Sequence, residues 1–197
     1  MSFQNLTRAT LILSSLMLLS CSSSKNSDPK QTVTDLFRAW NQRQEQVVRG
    51  LLTDDVQMTL MGQTFKGKDE IVRFMDFDDG MGGQVELGSS MSQGDTVTFE
   101  LRESNQFMTA LGVPQITNYV QFTLANGKVQ RSIEVKPPLG NDQLEAAGAR
   151  FGAWVQSQHP EALSALYGPE GSPVISKEAG ILMVKLAKEW SASQSGK

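Results

Sequence analysis

From Thr32 the chain places apolar residues at helical spacing. Val33, Leu36, Phe37, Trp40, Val47, Val48, Leu51 and Leu52 recur at steps of three and four, with an interruption near Asn41–Glu45. One face of a helix repeats at that step, so the spacing predicts a long helix, a kink, and a short second helix ending near Thr53. At Val56 the period falls to two. Val56-Gln57-Met58-Thr59-Leu60 reads as a strand and Met61-Gly62-Gln63-Thr64 as a turn. Lys68 to Met75 returns to helical spacing, with Ile71, Val72 and Phe74 on the apolar side. Four strands are predicted next, over 84–91, 95–103, 116–124 and 128–135. Gln93-Gly94-Asp95 and Ala125-Asn126-Gly127-Lys128 supply the hairpin turns, since Asn-Gly readily takes the positive φ values that tight hairpins need. The longer stretch Ser104–Gln115 holds a helical turn that ends at Gly112 and Pro114.

Pro137-Pro138-Leu139-Gly140 marks a boundary, and beyond it the helical period resumes. Leu144, Ala147, Phe151, Trp154 and Val155 form one stripe. Pro160 opens a short helix that stops at Gly168. Ser176 is the expected N-cap of a third helix carrying Ala179, Leu182, Met183, Leu186 and Trp190 on one face. Such stripes are packing surface, so the C-terminal region is expected to dock on the main domain.

The N-terminus has a different pattern. One basic residue, Arg8, precedes an apolar run from Ala9 to Leu19, which fits a signal-peptide core and is too short to span a bilayer. Leu18-Leu19-Ser20-Cys21 then resembles the bacterial lipobox. Cys21 is the only cysteine, so no internal disulfide can form. The resemblance implies a signal peptide over 1–20, cleavage before Cys21, and acylation of Cys21 (palmitate on sulfur). Two or more acyl chains give stable membrane anchoring. Ser22 resembles the sorting signal for the outer membrane, periplasmic side, over the inner membrane. Residues 21–31 are polar and turn-rich and read as a flexible tether.

Composition narrows the classes. A net charge of −3 without any basic run argues against nucleic acid as a partner. One histidine, His159, and one cysteine leave no His/Cys cluster for zinc. No metal and no cofactor are expected.

The order helix, helix, strand, short helix, long antiparallel strands resembles the nuclear transport factor 2-like superfamily. Leu51-Leu52-Thr53-Asp54-Asp55-Val56 is similar to its lead-in to the first strand, and Phe65-Lys66-Gly67-Lys68-Asp69-Glu70-Ile71 to its turn into the third helix. Glu103-Ser104-Asn105, Ala110-Leu111-Gly112-Val113 and Leu124-Ala125-Asn126-Gly127-Lys128-Val129 resemble a SnoaL-like, or polyketide-cyclase-like, subgroup. The resemblance spans residues 32–136, with 137–197 as a C-terminal helical extension. It implies an α+β fold: a cone-shaped, curved antiparallel sheet wrapped on the N-terminal helices, as in cystatin-like folds, with a pocket inside and a helical appendage. Fold alone does not assign function.

Strand alternation indicates which side chains enter that cone. Val97, Phe99, Leu101 and Glu103 share a face of one strand. Asn118 lies among Ile116, Val120, Phe122 and Leu124 on the next, and Arg131 among Val129, Ile133 and Val135 on the last. Arg131 and Glu134 fall on opposite faces, so only one of them points inward. The expected pocket has Glu103, Asn118 and Arg131 at its polar end and Trp40, Phe74 and Phe99 as apolar wall. The bland alternative is a structural Glu103–Arg131 ion pair at the rim of the sheet.

Relatives with known chemistry, by resemblance, need groups this chain lacks. Ketosteroid isomerases use an Asp base with a Tyr/Asp oxyanion hole, yet Met58-Thr59-Leu60 offers no acid and helix one no tyrosine. The dehydratase version needs a His–Asp pair, whereas His159 lies in the appendage beside Pro160, where a helix-start role fits. The sequence therefore favours a noncatalytic, membrane-anchored lipoprotein whose cone takes a small apolar ligand or a protein partner. Two alternatives stand beside it: a lyase, isomerase or cyclase with Glu103 as general base, and a module that forms a homodimer through its sheet face.

Overall fold

The protein is described from a computed structural model over residues 28–60, 62–168 and 171–194. The signal sequence and Cys21 lie outside these residues. Helix α1 spans Pro29–Asn41, starting inside the stretch expected as tether. Its start is set locally, because the Asp28 carboxylate accepts from the amide of Lys30 at 3.0 Å and Pro29 occupies the first turn. Arg43, at φ 57°, makes the kink that leads to α2 over Glu45–Leu51. The chain then enters β1 (Leu52–Leu60) directly. The stretch read as a turn instead closes a hairpin with the short strand β2 (Gln63–Lys66), which pairs Met58 with Phe65. Helix α3 runs past Met75 to cover Gly67–Gly80.

The remaining strands are β3 (Gln84–Gln93), β4 (Thr96–Ser104), β5 (Ile116–Ala125) and β6 (Lys128–Leu139), with helix α4 (Gln106–Ala110) between β4 and β5. One curved, open sheet results, ordered β2-β1-β6-β5-β4-β3. All neighbours are antiparallel except β1 and β6, which are parallel. Strand β6 continues through Pro137-Pro138, where a boundary was expected. Beyond Ser132 it has no paired residue on β1, and neither proline is paired with β5, so the missing N–H groups cost no ladder bond. Residues Val33, Leu36 and Phe37 of α1 pack on the concave face, Phe37 meeting Phe122 edge-on at 5.7 Å.

Helices α5 (Asn141–Gln158), α6 (Leu163–Leu166) and α7 (Lys177–Gln194) build a second apolar cluster around Phe151, Val155, Leu186 and Trp190. Ser176 caps α7, its hydroxyl accepting from the amide of Ala179 at 3.2 Å. Several contacts tie this cluster to the cone, two of them at aromatic rings and at glycines. Phe107 of α4 meets Phe151 at 5.4 Å. Helices α3 and α7 cross at Gly80 and Gly180, where a Cβ on Gly180 would collide with the carbonyl of Phe77 and one on Gly80 with the carbonyl of Lys177. Trp154, on the expected stripe, is half-buried and stacks against Phe151 at the edge of the cluster.

Candidate functional site

A cavity of about 400 Å³ opens between α1, α3, the concave sheet face and the start of α5. Its apolar wall follows from helix and strand periodicity. Trp40 and Phe37 come from the inner face of α1, Phe74 from α3 and Phe122 from β5, with Trp40 and Phe74 at 6.2 Å between centroids. Asp78 follows Phe74 by one helical turn and therefore faces the same way. Its Oδ2 accepts from the indole Nε1 of Trp40 at 3.0 Å and from Arg43 at 3.1 Å. Arg43 also donates to Asp79 at 2.9 Å and to the carbonyl of Gly83 at 2.5 Å. The kink residue thereby ties α1 to the end of α3.

The sheet supplies the polar wall. On β4 the inward residues are Val97, Phe99 and Leu101, then Glu103; on β5 they are Ile116, Asn118, Val120, Phe122 and Leu124. Glu103 lies opposite Ile116, so Asn118 is its diagonal neighbour, and the Asn118 amide donates to Oε1 of Glu103 at 2.6 Å. Glu103 is half-buried, open to the cavity and shielded from bulk water. Burial pushes its carboxyl up from 4.5 to about 7. The Asn118 bond favours the ionised form and pulls the other way, while the like charges of Asp78 and Glu134 add to the rise.

Arg131 does not join this group. Leu124 pairs with Val129, but the next residue along β5, Thr123, pairs with Arg131, so Gln130 is an extra residue in β6. Such a bulge inverts the alternation downstream. Arg131 is exposed opposite Thr123, while Ser132 and Glu134 turn inward opposite Phe122 and Val120. Neither the pocket role nor the rim ion pair expected of Arg131 is present. Phe99 is on the inward face but 2% exposed within the packed core, and it does not line the cavity. Trp40, Phe74, Glu103 and Asn118 do line it. Sequence reading missed Ser132, Glu134 and Asp78. Only Asp78 carried a usable signal, its place one turn after Phe74. Among the described residues, the Ser132 hydroxyl and the Asn118 Oδ1 are buried without a hydrogen-bond partner.

His159 lies far from the cavity lining, at the end of α5. Its ring nitrogens sit 3.4 Å from Glu161 and 3.4 Å from Glu189, and its ring 4.9 Å from Trp154. Among the described residues no group of three His, Cys, Asp or Glu side chains is placed to hold a metal ion, and no helix is long and apolar enough to cross a membrane.

The sequence profile of the SnoaL-like domain matches residues 33–132, and the chain belongs to that family. No curated protein matches the chain. Among solved structures, the chain is similar to a proposed polyketide cyclase from Sinorhizobium meliloti (20% identity, 52% of this chain and 91% of that one, TM-score 0.47). It is also similar to a nuclear transport factor 2-like protein of unknown function from Cytophaga hutchinsonii (10%, 59% and 95%, 0.48). A third likeness is to a proposed ketosteroid isomerase from Kribbella flavida (18%, 59% and 86%, 0.46). Each likeness concerns the fold.

Proposed function

We propose that this protein is a lipid-anchored envelope protein whose cone takes a small, mainly apolar molecule and exchanges a proton with it through Glu103. The observation that carries the reading is the Glu103 carboxyl, oriented by Asn118 on the wall of an aromatic cavity and tuned to about 7. A general acid or base works best with a pKa near the operating pH. The matching reaction class is proton transfer at an activated C–H, as in isomerisation or ring closure. The buried Ser132 hydroxyl, free to donate, is the candidate group for charge that develops on a substrate oxygen.

Assembly through the sheet face is less well supported. The outer residues of β4 and β5 include Thr98, Glu100, Arg102, Thr117 and Gln121, a polar surface. The anchor part of the proposal rests on the lone Cys21 after the apolar run, with a short polar stretch before α1 begins at Pro29.

The test is deuterium exchange. The detergent-solubilised chain is incubated with cyclic ketones and enones in D2O, and loss of α-proton signal is followed by NMR. Exchange should be at least about 100-fold faster with the wild type than with Glu103→Gln, the usual worth of a positioned base. Equal rates would remove Glu103 from the chemistry. Binding without exchange would leave the cone as a carrier site.

A further inference from the structure

The charges around the cavity do not balance. Among its described lining residues there is no Lys, Arg or His, yet Asp78, Glu103, Glu134 and Glu145 all contribute carboxylates. Asp78 is compensated by Arg43 from outside the lining. Glu145, at the rim on α5, accepts from the amide of Asn141 at 2.5 Å. Glu103 has only the neutral amide of Asn118, and Glu134 has no hydrogen-bond or ion-pair partner among the described residues. Carboxylates in an apolar cavity are costly without a counter-charge.

Two further observations specify what would supply it. Asn118 is 7% exposed, lines the cavity and gives an amide N–H to Glu103, while its Oδ1 is a buried, unmatched acceptor. An amide oxygen can only accept, so the complement is an N–H or O–H donor. Ser132, 2% exposed, adds a second unpartnered oxygen on the same wall. Opposite stand the rings of Phe37, Trp40 and Phe74, with Phe122 beside Ser132 on the sheet, and their faces attract cations as well as apolar groups.

We infer that the cavity receives a protonated amine, carrying at least one N–H on an apolar or aromatic body, with its ammonium group between Glu103 and Glu134. The inference rests on the reading of the cone as a small-molecule site and names the chemical class of that molecule. Its N–H meets Asn118 Oδ1, its charge offsets the two carboxylates, and its body covers the aromatic wall. A bound cation also favours the ionised form of Glu103, the form that accepts a proton. The groups facing Glu103 are Asp78 on α3, Asn118 on β5 and Glu134 on β6, with Glu145 on α5 at the rim. Among them only the carboxylates titrate, so amine binding should strengthen as pH rises through about 7.

Three probes that share a phenyl ring test this: 2-phenylethylamine, 2-phenylethanol and phenylacetate. Each is titrated calorimetrically into the detergent-solubilised chain at pH 8, with protein-free detergent as blank. The amine should bind at least tenfold more tightly than the alcohol, and phenylacetate should not bind. In Glu134→Gln, with folding checked by circular dichroism, the amine should lose more affinity than the alcohol, so that the amine-to-alcohol ratio shrinks. Lowering the pH to 5.5 should weaken the amine alone. An alcohol that binds as well as the amine overturns the cation inference and leaves the small-molecule reading standing. An unchanged ratio in Glu134→Gln also overturns it. If none of the three binds, the inference fails together with the reading beneath it.

Discussion

The amide of Asn118 donates to Oε1 of Glu103 across 2.6 Å from the neighbouring strand, and this bond opposes the burial that keeps Glu103 protonated. The donor stabilises the carboxylate, while the apolar surroundings and two like charges stabilise the acid. The balance places the proton exchange of Glu103 near neutral pH instead of far above or below it.

Glu103 should make the protein less stable as pH rises. The unfolded chain gives up this proton near 4.5 and the folded chain near 7. Between those values the folded state holds more proton, so its advantage is full below about 4.5 and lost as pH rises through 7. A shift of this size corresponds to about 3 kcal/mol. Denaturant unfolding at pH 4.5 and pH 8 should show this fall in the wild type. Glu103→Gln should lack it and be the more stable protein at pH 8.

Neighbours of Glu103 should move its titration in opposite directions. Asn118→Leu removes the donor to the carboxylate and should raise the pKa, whereas Glu134→Gln removes a like charge and should lower it. Arg131→Met should leave it in place and change stability by less than about 0.5 kcal/mol, as expected for an exposed side chain. Carboxyl carbon NMR across pH 4 to 9 reads all three. A titration that follows Arg131 would refute the bulge at Gln130.

Arg43 should act as a clamp between α1 and α3. Its guanidinium meets Asp78, Asp79 and the carbonyl of Gly83, and its pairs are less than a third exposed. Arg43→Met leaves two carboxylates and a carbonyl without this donor and should cost about 2–3 kcal/mol in urea unfolding. A cost near zero would mean that water replaces the guanidinium without loss.

The α3–α7 crossing should not accept a methyl group. Gly180→Ala places a Cβ on the carbonyl of Phe77, and backbone on backbone cannot yield as a side chain can. We expect a loss of about 1–3 kcal/mol, the usual range for overpacking, and faster limited proteolysis between α6 and α7. Gly148→Ala on α5, where nothing stands within 4 Å, is the control that should cost no stability and should gain up to about 1 kcal/mol from helix propensity.

Cys21→Ser should abolish labelling by a fatty-acid analogue and leave uncleaved precursor or released protein. The expectation rests on the single cysteine at the end of the apolar run. Persistent label on the variant would disprove the anchor.

The sequence by itself determined the element types, their order and most of the inner face. Val97, Phe99, Leu101 and Glu103, like Ile116 to Leu124, keep strict alternation because β4 and β5 pair without interruption over those residues. Helix α1 and the Ser176 cap were legible for the same reason, since both depend on contacts within a few residues. What only the tertiary structure decided lies where one strand meets two neighbours. Strand β6 must satisfy antiparallel β5 and parallel β1 together, and the sheet absorbs the mismatch as a bulge at Gln130. That extra residue exchanges Arg131 for Ser132 and Glu134 on the inner face, replacing a cation with a carboxylate. No local signal marks it, because the residue left out of the ladder is fixed by how β6 pairs with its neighbours and not by its own alternation.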